Sequence, residues 1–319
     1  MNGLQLERLC FLPSGVATME FALSESLSYM SQRKAFGRTI DNFEVLRHRV
    51  SQLSSELEAL KAFSYYCCDL FDKGIYDVKS CSIGKLLVTE LHEKISTQCL
   101  QFFGGNGYTE DYPMARMFRD SRIGTIGGGT SEIMRAIIAK VIIDDVKYEK
   151  AKSNFSSKES PINSNIHSLN QNNFSSFSDK YNLSLATKTI AIAEKTIDIT
   201  IKHINQTDNN GDKKSSSQVI RHQIAQLASE IECSKQFVFN IFSSLESSDN
   251  HEKEISMAKL ISIQLMNKVV SECFEMFGAY DSLEHHPLEK ISQDSKMIQI
   301  SNSQKDLHNN ISKFIIEKN

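Results

Sequence analysis

The feature that most constrains the fold of this chain is an internal repeat. A shift of 174 positions aligns "VLRHRVSQLSSELE" (45–58) with "VIRHQIAQLASEIE" (219–232), with eight identities in fourteen positions. The same shift, without a gap, aligns "SIGKLLVTELHEKISTQCLQFFG" (82–104) with "SMAKLISIQLMNKVVSECFEMFG" (256–278). Composition alone gives about one identity in fourteen. An offset held from residue 45 to residue 120 therefore predicts two copies of one folding unit.

The repeated unit is predicted to be a bundle of helices. Apolar residues of the first copy recur at steps of three and four, which is the period of an amphipathic helix. Prolines are rare, with four in 319 residues. The stripes run over Leu12–Met30, Leu46–Leu60, Ile83–Phe102 and Ile133–Val141. Short joints between such helices favour an all-α class, with an antiparallel four-helix bundle duplicated in tandem.

A change in composition predicts where the two copies are joined. Of the thirty residues from 151 to 180, half are Ser or Asn, and the apolar period is lost. Such a segment is typical of a solvated linker. We therefore predict a first bundle at 1–150, a linker at 151–180 and a second bundle at 181–319.

Composition also limits the partners. A net charge of -3 leaves no basic excess for nucleic acid. The seven cysteines contain no CxxC pair, which argues against a disulfide framework and a metal site. The first residues lack the basic start and apolar core of a signal peptide. We expect a protein that is not secreted, located in the cytoplasm of a bacterium or the mitochondrial matrix of a eukaryote.

The second copy keeps the packing pattern but loses the glycines and charged residues that stand out in the first. Its apolar stripe at Met257, Ile261, Leu265 and Val269 is intact. The second bundle is therefore predicted to be a scaffold without chemistry. At the equivalent positions of the second copy, Ala279 replaces Gly105, Asp281 replaces Gly107, residues 301–304 replace 127–130, and Thr207 replaces Arg33.

Three consecutive glycines in the first copy raise the question of what must come close to the backbone. They stand in "IGTIGGGTSEI" (123–133), ahead of an apolar helix. Glycine permits left-handed conformations and a close approach. Unpaired amides at the start of that helix, beside Thr130 and Ser131, would suit an anion such as a phosphate.

Four motifs occur in a fixed order along the first copy. They are "LERL" (6–9), "RKAFG" (33–37), "QFFGGNGY" (101–108) and the glycine stretch. Singly, each has an ordinary explanation as a solvated charge pair, a basic helix end or a plain turn. Together, over residues 3–145, they resemble the C-terminal helical domain of the acyl-CoA dehydrogenase family. The resemblance implies FAD and the oxidation of an acyl-CoA thioester to the 2-enoyl-CoA, with a carboxylate removing the α-proton.

The position of that carboxylate departs from the commonest pattern of the family. Most members carry the glutamate immediately before the Gly-Thr of the glycine motif, where this chain has Gly128. The isovaleryl-CoA and long-chain types carry it on the first helix, in a Leu-x-x-Glu-Arg-Leu context that matches Glu7. The resemblance therefore implies that Glu7 is the base and that the Gly128 amide contacts the thioester carbonyl. Arg8 and Gly127 are then substrate-binding positions, with room for a branched or bulky acyl chain.

The resemblance also carries over a set of FAD contacts. One group would reach the FAD of a neighbouring subunit, and another would bind the chain's own FAD. A further position, Glu44, stands where many members have glutamine, and its charge beside a diphosphate is unfavourable unless Arg47 or His48 offsets it. The cross-subunit group is Arg33, Phe36, Gln101, Gly104 and Gly105, and the second group is Thr130 and Glu132.

Partners follow from the same resemblance. It implies a homo-oligomer, a dimer or tetramer, that passes electrons to electron-transferring flavoprotein. The N-terminal helical and middle β domains of the family have no counterpart in the sequence. The chain is therefore interpreted as the C-terminal portion of such an enzyme; a non-catalytic oligomerisation module and an acyl-CoA oxidase-like protein stay open as alternatives. A membrane contact by the second bundle also stays open.

Overall fold

The structure of the protein is a computed structural model that describes residues 2–75, 77–148, 177–207, 213–245, 250–277 and 286–317. Within these ranges it contains eleven α-helices and one short hairpin, so the predicted all-α class is confirmed. The hairpin pairs β1 (Lys34–Ala35) with β2 (Arg38–Thr39). The helices are α1 (Asn2–Gln32), α2 (Glu44–Asp72), α3 (Val78–Phe103), α4 (Gly105–Tyr108), α5 (Met114–Gly124), α6 (Ser131–Ile143), α7 (Phe177–Ile204), α8 (Gln218–Ser244), α9 (Glu252–Phe277), α10 (Pro287–Ser301) and α11 (Gln304–Ile316).

The two copies form the same set of helix pairs. In the first, α1 packs along α3 and both contact α2, while α5 lies against α3. In the second, α7 packs along α9, both contact α8, and α10 lies against α9. The predicted duplication of a helical bundle is therefore confirmed at the level of the fold. Most of the predicted linker, residues 151–176, lies outside the described residues, and α7 already begins at Phe177.

Ion pairs repeat with the same offset as the helices. Lys61 contacts Glu20 at 2.6 Å in the first copy, and Lys235 contacts Glu194 at 2.7 Å in the second. Each residue of the second pair follows its counterpart by 174 positions. Because Glu20 and Glu194 lie on α1 and α7, the offset extends to the first helix of each bundle, upstream of the segment in which the sequence match is clear.

The pairing of α1 with α3 depends on a close approach at Gly15. A methyl group added there would stand 2.5 Å from Cγ2 of Val88. The second copy has Thr189 opposite Ser262 at the equivalent positions, so a larger residue on one helix faces a smaller one on the other. The first copy therefore depends on a residue without a side chain at this contact, because a close-packed interior leaves no room for an added methyl group.

The chain forms two compact units, and most of the last helix of each repeat belongs to the unit formed mainly by the other repeat. Residues 1–134 cluster with 305–319, whereas 135–147 cluster with 172–304. In the first of these units, Nε2 of His48 lies 2.9 Å from Oδ1 of Asn309. In the second, Nε of Arg135 donates to Oε1 of Gln226 at 3.1 Å. Arg135 and Asn309 are equivalent positions of the repeat, so each final helix contacts the second helix of the unit that it joins.

The stripe Ile133–Val141 forms α6, and most of this helix clusters with the second unit. Within the first unit, α5 lies against α3. The buried face of α6 is also displaced by one residue, since Ile133 is half exposed while Met134 and Ile138 are fully buried. A short helix with several apolar residues offers two adjacent stripes, and the period alone does not choose between them.

No helix among the described residues has the length and apolar character that crossing a bilayer requires.

Substitution of Gly15 tests the close approach of α1 and α3. We expect Gly15→Ala to lower the free energy of unfolding by about 1–3 kcal/mol, because the added methyl overlaps a stiff β-branched side chain. Val88→Ala should partly restore it in the double variant. Gly3→Ala is the matched control, since a methyl there meets nothing within 4 Å. Urea unfolding curves measure all four proteins, and equal losses in both glycine variants would contradict the prediction.

The contact between α2 and α11 should depend on pH. His308 stacks on His48 with 5.1 Å between ring centroids, and its Nδ1 lies 3.1 Å from Oγ of Ser51. Partial burial, and then the charge of His48, lower the pKa of His308 below 6.5. The folded state therefore binds fewer protons than the unfolded state, and the free energy of unfolding falls as the pH drops below about 6.5.

His308→Gln should reduce this dependence. Urea unfolding roughly one pH unit above and below 6.5 measures it in the parent and the variant. A variant whose stability falls with acid as steeply as that of the parent would remove His308 as the cause.

Candidate active site at the glycine turn

The three glycines form a turn between α5 and α6 that is fixed at both ends by backbone hydrogen bonds. The amide of Gly127 donates to the carbonyl of Ile123 at 2.8 Å, and the amide of Ser131 donates to that of Thr125 at 3.2 Å. Between them, Gly128 has φ +67° and Gly129 has φ +108°. Two of the three glycines thus adopt conformations that other residues rarely reach.

Side chains of α1 and α6 surround this turn closely. A Cβ at Gly129 would stand 2.7 Å from Cε of Met134. A Cβ at Gly128 would stand 3.3 Å from the ring of Phe11 and 3.8 Å from Oε1 of Glu7. The carboxylate of Glu7 therefore comes close to the place where a side chain on residue 128 would begin. The structure thus brings together Glu7 and Gly128, the two positions to which the resemblance assigns the base and the thioester contact.

Two buried cations hold the inner side of the turn. Nε of Arg8 donates to the carbonyl of Gly128 at 3.1 Å, and Nζ of Lys85 donates to the carbonyl of Gly129 at 2.5 Å. Arg8 is 7% exposed and Lys85 is fully buried. Burial, and then the charge of Arg8, lower the pKa of Lys85; burial likewise lowers the pKa of Arg8. Consecutive carbonyls of the turn are thus each bound by a positive charge.

Lys85 was missed by the sequence analysis. It lies in "SIGKLLV", on a helix whose neighbouring positions Ile83 and Leu86 are fully buried. A lysine inside an apolar stripe is a signal, because a buried ammonium needs an acceptor. The apolar period of the helix, however, cannot show which group accepts the hydrogen bond of Lys85.

The turn also carries hydrogen-bond donors that have no partner among the described residues. Within the described residues, no protein acceptor pairs with the amides of Gly128, Gly129 or Thr130. The hydroxyl of Ser131 is buried and also has no hydrogen-bond partner there. Because α6 begins at Ser131, these groups can bind an anion or a developing oxyanion. Glu132, predicted to contact FAD, is exposed on the first turn of α6.

The predicted cross-subunit positions lie together at the opposite end of α1. The ring of Tyr29 stacks on Phe103 with 4.2 Å between centroids, which joins the end of α1 to the end of α3. Gly104 ends α3 with φ +57°. Arg33, Gln101, Gly104 and Gly105 are all exposed there.

Phe36, at the turn of the hairpin, combines an unfavourable backbone conformation with an exposed side chain. This residue has φ +49° at the turn between β1 and β2, and its side chain is 95% exposed. A positive φ is unfavourable for a bulky residue. Edge contact with Phe43, at 6.3 Å between centroids, is the aromatic contact that it makes. An exposed aromatic ring on a strained turn is well placed to meet a molecule from outside the unit.

The length of α1 separates the two groups of predicted site residues. Glu7 and Arg33 are 26 positions apart in sequence, or about 39 Å along a helix that rises 1.5 Å per residue. That distance exceeds an extended dinucleotide. One chain therefore cannot apply both groups to the same cofactor molecule.

Glu44, predicted with reservations to contact the cofactor, is engaged elsewhere. Its carboxylate lies 2.9 Å from Nζ of Lys305 and 3.7 Å from Nε2 of His48. The hydrogen bond from Lys305 holds the pKa of Glu44 below its usual range. The offsetting charge thus comes from α11 as well as from His48.

A profile of the family described as "Acyl-CoA dehydrogenase, C-terminal domain" matches residues 1–143 and 181–311 of this chain. The chain belongs to this family. The two matched ranges correspond to the two copies of the repeat, and the predicted resemblance is confirmed.

Relatives and a solved structure of this family cover different parts of the chain. A long-chain specific acyl-CoA dehydrogenase, mitochondrial, of Rattus norvegicus is 35% identical over 145 residues, which is 46% of this chain and 34% of the relative. An isovaleryl-CoA dehydrogenase, mitochondrial, of Oryza sativa subsp. japonica is 34% identical over 145 residues, or 46% and 36%. An acyl-CoA dehydrogenase complexed with FAD from Bacillus anthracis has a TM-score of 0.75 over 99% of this chain and 55% of its own, at 17% identity, which shows the fold alone.

The chain thus spans about a third of the length of the curated relatives it matches.

The second copy of the repeat lacks the site residues of the first. Tyr181 and Asn182 stand at the positions of Glu7 and Arg8, and no glycine occurs between α10 and α11. The lysine remains as Lys259, whose Nζ donates to Oδ1 of Asn182 at 2.9 Å. Ala279 and Asp281, which replace Gly105 and Gly107, lie outside the described residues.

Alanine substitutions test which glycines the turn requires. Gly129→Ala should lower the free energy of unfolding by about 1–3 kcal/mol, since it places a Cβ at positive φ and against Met134. Gly127→Ala should cost less than about 1 kcal/mol, because its Cβ would meet its nearest atom at 3.5 Å. Urea unfolding compares the two, and a costlier Gly127→Ala would contradict this account of the turn.

Proposed function

We propose that the natural protein is an FAD-dependent acyl-CoA dehydrogenase and that this chain supplies its catalytic base and part of its flavin site. The observation that carries the proposal is the approach of the Glu7 carboxylate to Gly128, with 3.8 Å between Oε1 and the position of the absent Cβ. A carboxylate from α1 thus occupies the region that a glutamate on residue 128 would otherwise fill. The names of the relatives, long-chain and isovaleryl-CoA dehydrogenases, agree with this base position.

The residues of the turn fit the demands of this reaction. The α-proton of a thioester is weakly acidic, so its removal requires donors that stabilise negative charge on the carbonyl oxygen. The amide of Gly128 is available as such a donor. Bound FAD would accept the hydride that leaves the β-carbon as Glu7 takes the α-proton. Glu7 is exposed, so exclusion of water from it would depend on substrate, cofactor and further parts of the protein.

The remaining pocket residues divide into two roles. Gly127 lacks a side chain, and we propose that the volume this leaves beside Phe11 suits a branched or bulky acyl group. Arg8 is predicted to bind substrate, but its guanidinium is buried and donates to the carbonyl of Gly128. We therefore propose that Arg8 holds the turn and acts on the substrate through it.

The cofactor contacts are proposed to come from two subunits. Thr130 and Glu132 lie at the end of α1 that carries Glu7, and they would bind the chain's own FAD. Arg33, Phe36 and Gln101 lie at the opposite end of α1, where Arg33 is about 39 Å from Glu7 along the helix, and would reach the FAD of a neighbouring subunit. This division requires a homo-oligomer.

Electron transfer is proposed to end on electron-transferring flavoprotein rather than on oxygen, in keeping with relatives that are dehydrogenases. In a eukaryote the protein would act in the mitochondrial matrix, as the names of those relatives suggest. Stopped-flow mixing of the substrate-reduced protein with oxygen tests the acceptor, because fast reoxidation would indicate an oxidase.

Glu7→Gln in the full-length natural protein tests the base. Flavin content and melting temperature should match those of the parent, because Glu7 is exposed and the amide keeps its shape. The rate at which acyl-CoA bleaches the flavin should fall by about 10²–10⁴-fold, the usual contribution of a general base. Stopped-flow absorbance under anaerobic conditions measures that rate.

Glu20→Gln is the matched control, since Glu20 lies on the same helix and pairs with Lys61 at the surface. It should bleach within about twofold of the parent, because such a pair contributes little. Bleaching of Glu7→Gln at the parental rate would show that another group removes the proton.

A further inference from the structure

The glycine turn poses a problem of precision. Consecutive glycines are the most flexible backbone available, whereas an amide that stabilises a transition state must be held within about 0.5 Å of its place. Backbone hydrogen bonds fix Gly127 and Ser131, at the two ends of the turn. The residues between them need another restraint.

Arg8 and Lys85 provide that restraint from two different helices. Each binds one carbonyl of the Gly128–Gly129 pair, at 3.1 Å and 2.5 Å respectively. Because the C=O and N–H of a trans peptide point in opposite directions, fixing these two carbonyls also fixes the amides of Gly129 and Thr130. The contact from Arg8 to the Gly128 carbonyl also holds residue 128 from its C-terminal side, next to the Gly128 amide that is proposed to meet the thioester. A cation on the carbonyl further polarises the peptide and strengthens its amide as a donor.

Resting on the proposed function, we propose that Lys85 is a positioning residue of this site: its buried ammonium, with Arg8, locks the glycine turn opposite Glu7 so that its amides are preorganised for the thioester and the cofactor. Lys85 touches neither substrate nor flavin. It acts through the carbonyl of Gly129, and its place on α3 ties the turn to the bundle core.

The second copy offers an internal comparison. Lys259 occupies the same position of the repeat as Lys85, but its ammonium binds the side chain of Asn182. The segment equivalent to the glycine turn, residues 301–304, contains no glycine. Substitution of Lys85 removes a buried ammonium from the fold, and substitution of Lys259 removes a half-buried one. Removal of Lys85 alone should affect the reaction.

Lys85→Met, Lys85→Gln and Lys259→Met in the full-length natural protein test the proposal. Lys85→Met should lower kcat for acyl-CoA by about 10–100-fold with KM within about threefold, as expected for a misplaced group. Lys85→Gln keeps a neutral donor and should lose less. Hydrogen exchange of the Gly127 and Ser131 amides should speed up at least about tenfold in Lys85→Met, as local opening becomes easier. Lys259→Met should leave kcat and both amides unchanged.

The readouts separate this proposal from the proposed function. Parental exchange at both amides in Lys85→Met, or an equal loss of kcat in Lys259→Met, would overturn the positioning role. If Lys85→Met does not fold, a Lys85→Gln variant with parental exchange and kcat would overturn it. A parent that neither retains flavin nor oxidises acyl-CoA would refute the proposed function, and exchange would still decide whether Lys85 holds the turn.

Discussion

The close approach of α1 and α3 determines where the functional groups of the first unit lie. Gly15 leaves room for Val88, and Gly84 leaves room for Leu12, where an added methyl would stand 2.6 Å from Cδ2. These contacts fix the register of α1 against α3. The beginning of α1 then carries Glu7 beside the glycine turn, and its end carries Tyr29 on Phe103. A slip of one turn, about 5.4 Å, would disconnect both ends from their partners.

The duplicated unit separates what packing requires from what chemistry requires. Where Gly84 meets Leu12 in the first copy, the second copy has Ala258 and Ala186 at the equivalent positions, so a pair of small residues replaces a glycine and a large residue. Surface ion pairs such as Lys94 with Glu56 recur as Lys268 with Glu230, each at 2.7 Å. The glycine turn and the Glu-Arg pair do not recur. Contacts between helices therefore recur in both copies, whereas the glycine turn and the Glu-Arg pair are confined to the first.

The sequence predicted the parts of this structure that follow from local pattern. The repeat and the helical class were readable from spacing, whereas the roles of Glu7 and Gly128 were implied by the resemblance of the motifs to the family. The exchange of α6 and α11 was not, because the contacts of Arg135 with Gln226 and of His48 with Asn309 join segments far apart in sequence. Nor could the role of Lys85 be read, since its acceptor is a backbone carbonyl 44 residues away and backbone carbonyls carry no sequence signal.

The fate of that lysine in the second copy explains why it is tied to the turn. A buried ammonium is tolerated only with an acceptor, so Lys85 and the Gly129 carbonyl depend on each other. Where the glycine turn was lost, Lys259 kept its charge and Asn182 stands at the position of Arg8, supplying a side-chain oxygen. An arginine there would have placed two cations together without carbonyls to receive them. The glycine turn thus explains why Arg8 and Lys85 occur together in the first copy. Its absence from the second copy explains why Asn182 stands there in place of an arginine.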